Sequence, residues 1–216
     1  MRLILVRHGQ SLGNVEQRIQ GSDDPLTDFG RQQAGAAAEA LAKRGDITHL
    51  YASNLDRAFE TASIIGKRIG LEPVPTPGLA EIDAGTAAGL VWADWVAQDP
   101  ERAERLERNQ LSPFGQWEGG ESGQDLADRV LASYDEIVTR HLGSDDVVAL
   151  VSHGGPLAWI AAKVYGDPLD IWPAARAGFL NCSISELEID SDREQESRIL
   201  SWNVTDHLEA VNRTVN

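Results

Sequence analysis

The chain has 216 residues, 42% of them apolar, one cysteine and a formal net charge of −15. That length and apolar content suffice for one α/β domain with a substantial core, while the acidic balance and the lack of any basic run exclude nucleic acid as the expected partner. No apolar stretch approaches the roughly 20 residues of a membrane span. The run Leu3-Ile4-Leu5-Val6 is too short for a secretory signal, and Cys182 has no second thiol for a disulfide or a thiolate metal site. The expectation is therefore a cytoplasmic protein with no membrane and no metal.

Taken in chain order, residues 2–6 predict a buried strand, and the polar stretch 9–25 predicts a loop with one helical turn at 14–18. Thr27 then caps a helix whose face Ala34, Ala37, Ala38 and Leu41 recurs at helical spacing until Gly45 stops it. Residues 47–52 predict a second strand. Ser53 and Asp56 have capping-box spacing for a helix with Leu55, Ala58, Phe59, Ala62, Ile65 and Ile69 along one face. A third strand is expected at 73–76. It is followed by an excursion from the sheet at about 85–120, with weak periodicity, two candidate helices and Trp92, Trp95 and Trp117. The default for each tryptophan is buried packing, with a lid as the alternative.

Ser122 and Asp125 cap a further helix with Leu126, Val130, Ile137 and Val138 on its buried face, running to His141. Residues 147–151 predict a fully buried strand, and 156–165 an apolar helix. Segments 184–189 and 199–204 alternate in polarity and predict a hairpin at one sheet edge. Cys182 is expected as a small buried strand residue, and the tail after His207 as poorly ordered.

Four loops that follow strands carry Arg7-His8-Gly9, Arg57, Glu81 and Ser152-His153-Gly154-Gly155. Ligands of an open α/β sheet bind at the carboxyl ends of its strands, so these residues converge on one edge. The set suits phosphoryl transfer. Two guanidiniums can clamp phosphate oxygens bidentately, and the amides of Gly154 and Gly155 at a helix start offer an anion site. One neutral imidazole can attack phosphorus while the other donates to an equatorial oxygen, and a carboxylic acid must protonate the leaving oxygen. Asp83 competes with Glu81 for that last task. Glu121 reads mainly as a turn-ordering carboxylate, and His49, His141 and His207 as surface or helix-end residues. Arg102, Arg105 and Arg108, interleaved with glutamates, read as a solvated helix face, with a contact to a second substrate anion as the minority reading.

These motifs resemble the histidine phosphatase superfamily, in the branch of cofactor-dependent phosphoglycerate mutases and broad-specificity phosphatases. The resemblance spans Arg7-His8-Gly9 with Ser11 and Asn14, Gln20-Gly21, Pro25-Leu26-Thr27, Ser53 with Arg57-Ala58, Leu79 with Glu81, Gly120-Glu121-Ser122, and Ser152-His153-Gly154-Gly155. It implies a three-layer α/β/α sandwich with a mostly parallel central sheet. It also implies His8 as the phosphorylated nucleophile, Arg7, Asn14, Arg57 and His153 as phosphate holders, Gln20-Gly21 beside the substrate, and Glu81 as proton donor. No metal or other cofactor is implied, and frequent self-association leaves a homodimer as an open expectation. The chain departs from the family pattern at Gln10, where glutamate is common, and at residues 83–89, which are small throughout where an aromatic is usual.

The expected activity is a metal-independent phosphomonoesterase acting on a small phosphorylated substrate through His8. A phosphoglycerate mutase is the closest competitor, disfavoured because the chain has no Arg-Arg pair and its excursion is short. A non-catalytic phosphate-binding module is the alternative of another class. Which phosphomonoester is the substrate stays open, because its contacts fall in the excursion.

Overall fold

The computed structural model describes residues 1–99, 101, 117–169, 178–190 and 197–212. The strands are β1 (Arg2–Arg7), β2 (His49–Ala52), β3 (Val74–Pro75), β4 (Val147–Ser152), β5 (Ile184–Glu188) and β6 (Arg198–Val204). They lie in one sheet in the order β3-β2-β4-β1-β5-β6. The pairs β3·β2, β2·β4 and β4·β1 are parallel, whereas β5 pairs antiparallel with β1 and with β6. The expected hairpin thus forms one edge of a mostly parallel sheet.

The helices are α1 (Leu12–Glu16), α2 (Asp28–Arg44), α3 (Asp56–Ile69), α4 (Trp92–Ala97), α5 (Gly123–His141), α6 (Gly154–Tyr165) and α7 (Glu209–Asn212). Strand alternation sorts them into layers. Ile4 and Val6 of β1, with Val147, Ala149 and Val151 of β4, pack against Ala38 and Leu41 of α2 and Ala58, Ala62 and Ile65 of α3. Leu3, Leu5, Val148 and Leu150 face the other way, onto Leu126, Val130 and Ile137 of α5 and Trp159 and Ile160 of α6. The result is a three-layer α/β/α sandwich whose central strands are apolar on both faces, as burial between two helical layers requires.

Local chemistry sets the boundaries. Thr27 accepts the Gly30 amide at 2.9 Å and Gly45 ends α2 in the left-handed region, while Ser122 and Asp125 form a reciprocal capping box on α5. A Cβ on Gly30 would lie 2.0 Å from the Gln10 carbonyl oxygen, so only glycine lets α2 abut the loop after β1.

Several elements differ from the sequence expectation. The first helical turn lies earlier, because Ser11 and Asn14 form its capping box and Gln17, at φ 53°, ends it. Helix α6 begins at Gly154 rather than Pro156, since a proline in the first turn lacks only an N–H that has no intrahelical acceptor. β3 shrinks to two residues. Cys182 is buried, but in the turn before β5, at φ 54°. Its amide donates to the Arg7 carbonyl, and burial pushes its thiol up to about 12. The excursion contributes α4 and a turn at Gly85–Ala87; its second candidate helix, with Arg102, Arg105 and Arg108, lies outside the described residues. Among the described residues no helix is long and apolar enough to cross a membrane.

The tail after His207, expected to be poorly ordered, completes the turn Asp206–Leu208 and forms α7, with 213–216 outside the described residues. Leu208, 2% exposed, packs on Ala34, Ala37 and Cys182, and the His207 imidazole meets the Cys182 carbonyl at 2.9 Å. Leu208→Ala should therefore lower unfolding stability by about 2–4 kcal/mol in urea denaturation. An effect near zero would mean that this segment is not docked.

Candidate active site

β1 and β4 pair with Arg7 opposite Ser152, and the His8 amide donates to the Ser152 carbonyl at 2.9 Å. His8 and His153 consequently leave the sheet side by side, with ring centroids 5.1 Å apart and both side chains buried. His8 Nδ1 lies 2.7 Å from the Gly9 carbonyl oxygen. A carbonyl only accepts, so Nδ1 carries the hydrogen and the lone pair resides on Nε2. Burial, then Arg7 and Arg57, holds the His8 pKa well below the ordinary histidine value. Burial followed by Arg57, His8 and Arg7 does the same to His153.

The guanidiniums arrive as the topology requires, Arg7 from the end of β1 and Arg57 from the first turn of α3. Arg7 Nη1 donates to the Phe179 carbonyl, and Arg57 Nη1 to that of Gly21 at 2.8 Å. Arg7 Nε, Arg57 Nε and Nη2, and His153 Nδ1 are buried without a protein acceptor. Burial lowers both arginine pKa values, against the opposing pull of Glu81, but a guanidinium stays charged. A dianion supplies the countercharge and acceptors that these donors lack.

Ser53 has a different task from the one its spacing suggests. Leu55 is the N-cap of α3, without a side-chain cap bond. Ser53, fully buried, accepts the Leu55 amide at 3.2 Å and bonds His153 Nε2 at 2.8 Å. Thr61 likewise joins Gly9 to the Arg57 carbonyl, at 3.1 and 2.7 Å.

Glu81 Oε2 accepts the Gly155 amide at 3.2 Å, so the acceptor at this helix start is the chain's own carboxyl group and that amide is not free for phosphate. A Cβ on Gly155 would lie 2.4 Å from Glu81 Oε1, which explains the glycine. Asp83 instead accepts the Gly85 amide at 2.9 Å and orders the turn.

Arg129, a residue the sequence reading did not single out, braces the Glu81 loop. It donates to the carbonyls of Gly78, Ala80 and Glu81 at 3.1, 2.7 and 2.8 Å and pairs with Glu121 at 2.6 Å. Glu121 also accepts the Asp83 amide at 2.9 Å. Burial opposes the Glu121 charge, but Arg129 and that amide outweigh it and hold its carboxyl below the usual range. The one hint in the sequence is a basic residue beside the apolar stripe of α5.

Asn14 Oδ1 accepts from the Ser11 amide and from Asn181, whose Nδ2 also reaches the His8 carbonyl at 3.0 Å. Buried Asp24, also missed, takes the Gly13 amide and the Ser11 hydroxyl at 2.7 Å each. Gln20 donates to Ser11 and Asp24. Gln20, Gly21 and Glu81 line a cleft of about 800 Å³. Trp92, Trp95 and Trp117 stack in series at 5.4 and 4.9 Å, the last two packed on Ile19 and Ala84. Trp92 is exposed, against the default of burial.

The described residues gather three potential metal-ligating side chains at one place, His49, His141 and Asp146, at the amino ends of β2 and β4 and so away from this site. His141 is at a helix end, as expected, but buried. It bonds Tyr51 Oη at 3.0 Å and Asp146 at 2.9 Å, helping to hold the Asp146 carboxyl at about 2.

A family model described as histidine phosphatase superfamily (branch 1) matches residues 3–205. The chain belongs to this superfamily. Glucosyl-3-phosphoglycerate phosphatase of Mycolicibacterium vanbaalenii is 39% identical over 80% of the chain and 77% of the relative. The metal-independent phosphoserine phosphatase of Arabidopsis thaliana is 35% identical over 97% and 84%, and a probable phosphoglycerate mutase of Salmonella paratyphi B is 36% identical over 87% and 85%. The structure of a mycobacterial glucosyl-3-phosphoglycerate phosphatase in complex with VO3 superimposes with a TM-score of 0.80 at 35% identity, covering 94% of this chain and 99% of that one.

Two predictions follow from this geometry. Gly155→Ala should displace the Glu81 carboxylate and slow turnover of alkyl phosphates by about tenfold or more while leaving inorganic phosphate binding intact; equal loss of both would show a general collapse. His8 and His153 have folded pKa values below their unfolded ones, so below about pH 6.5 the unfolded chain binds protons that the folded chain refuses. Stability should be level above that pH and fall on acidification, by up to ~1.4 kcal/mol per pH unit for each histidine. Urea denaturation of wild type and His153→Asn across pH 5.0–8.0 measures the slope, and an unchanged slope in the variant would refute its origin.

Proposed function

We propose that the chain is a phosphomonoesterase that needs no metal and transfers the phosphoryl group through His8. The observation that carries this reading is a neutral imidazole, its tautomer fixed by the Gly9 carbonyl, set beside buried guanidinium donors that lack protein acceptors. Two relatives, named as a glucosyl-3-phosphoglycerate phosphatase and a metal-independent phosphoserine phosphatase, support it.

In the first step His8 Nε2 forms a bond to phosphorus as the bond to the alcohol oxygen breaks, and Glu81 gives that oxygen a proton. Arg7 and Arg57 hold the non-bridging oxygens as charge shifts onto them. Ser53, accepting from the Leu55 amide, has its own hydrogen for His153 Nε2, which leaves His153 Nδ1–H to donate to the same oxygens. Asn14, with its carbonyl occupied by two donors, turns its amide to the anion. In the second step water attacks phosphorus, Glu81 takes the proton, and the N–P bond breaks to release phosphate. Gln20, Gly21 and the start of the excursion at 85–120 contact the alcohol half. On this reading the substrate is a small cytoplasmic phosphate ester.

The competing reading is a mutase, supported by relatives with that name. Its phosphohistidine returns the phosphoryl group to a hydroxyl of the substrate instead of to water. With chelator present, His8→Ala should abolish p-nitrophenyl phosphate hydrolysis and leave no alkali-stable phosphoprotein after rapid quench. Glu81→Ala should slow alkyl esters by about 10²-fold or more and aryl esters far less. Isomerisation of 3-phosphoglycerate without phosphate release would establish the mutase, and equal loss on both ester types would remove Glu81 as the acid.

A further inference from the structure

The cleft that receives the alcohol half has a charge opposite to that of the phosphate pocket. Among the described residues, Glu16, Asp23, Asp24, Asp83 and Glu121 line it beside Glu81, against Arg18 and Arg129. Hydrogen bonds show which of these charges are engaged. Arg129 is taken by Glu121 and three carbonyls, and Arg18 by Glu16 and the Gly89 carbonyl. Asp24 is buried under the Gly13 amide, Ser11 and Gln20. That leaves Asp23 and Asp83, both exposed. Both line the cleft, and their hydrogen bonds to the Ser22 hydroxyl at 3.1 Å and the Gly85 amide at 2.9 Å use Oδ1, which leaves Oδ2 of each for a partner.

A carboxylate oxygen accepts hydrogen bonds and repels anions. We propose that this cleft selects a phosphate ester whose alcohol half offers O–H or N–H donors to Asp23 and Asp83 and carries no carboxylate at that position. The inference rests on the phosphomonoesterase reading and gives it a substrate class, namely polyhydroxyl or ammonium-bearing alcohols. It sets the chain apart from relatives named for phosphoglycerate esters, and it works against mutase chemistry, whose substrates place a carboxylate beside the reacting ester.

Two substrate pairs matched in size test this on the full chain. Glycerol 3-phosphate against 3-phosphoglycerate exchanges a hydroxymethyl for a carboxylate, and phosphoethanolamine against phosphoglycolate exchanges an ammonium for one. The expected result is a kcat/KM about tenfold higher for the donor-bearing member of at least one pair, with the ratio shrinking to about threefold or less in Asp23→Asn/Asp83→Asn. A gap in the first pair alone identifies hydroxyl recognition, and in the second alone ammonium recognition. Because each ratio comes from a single enzyme preparation, loss of folded variant cancels. Equal or better turnover of both carboxylate esters, or ratios unmoved in the variant, would overturn the proposal if p-nitrophenyl phosphate hydrolysis still requires His8. If that hydrolysis does not require His8, the underlying phosphatase reading has failed instead.

Discussion

The organisation of this molecule depends on keeping two guanidiniums and two neutral imidazoles together out of water. Desolvating like charges side by side is unfavourable, and the protein offsets it only in part, giving Arg7 and Arg57 a backbone carbonyl each, from Phe179 and Gly21. The remaining donors converge on the place where an anion enters. Their rigidity comes from the parallel register of β1 and β4, which fixes both histidines, and from the buried hydroxyls of Ser53, which ties the ends of β2 and β4 together, and of Thr61, which ties α3 to the loop after β1. Burial also keeps the imidazoles uncharged, so on the proposed reading the arrangement that receives a dianion also preserves a nucleophile.

The carboxylic acid is held in a different way. Glu81 follows a strand of only two residues, too short to position it through the sheet. Its loop is fastened to the opposite helical layer, by three carbonyls on Arg129 of α5 and by the Gly155 amide of α6. The half of the site proposed to bind phosphate is therefore a product of the sheet, and the half proposed to donate the proton a product of packing between the sheet and one layer of helices.

This division governs what could be read from the sequence. Arg7, His8, Arg57 and His153 announce themselves because each lies next to a strand or helix signal that fixes its place on the sheet edge, and the unbroken apolar runs of β1 and β4 declare a helical layer on each face. Arg129 and Asp24 were not legible, since their partners lie in distant loops and their own surroundings are ordinary helix and turn. Ser53 was visible but misjudged, because a serine three residues before an aspartate has the spacing of a cap whether or not its hydroxyl turns to a neighbouring strand. Gly155 was read as a phosphate amide, and only the approach of Glu81 in three dimensions shows what its missing side chain makes room for. The tail was misjudged because one leucine decides its docking, and a single apolar residue has no periodicity.

The strand order carries a consequence for biogenesis. β1, the earliest of the described strands in chain order, lies at the centre of the sheet between β4 and β5, whose residues come about 145 and 185 positions later. Both of its hydrogen-bonding edges thus stay without their native neighbours through most of synthesis. Non-local pairing of this kind is slow, and an apolar unpaired edge is prone to aggregate. On the proposed reading, His8 after β1 is made early yet gains its neighbour His153 only after β4, so a chain that lacks β4 and β5 should be both inactive and prone to aggregate.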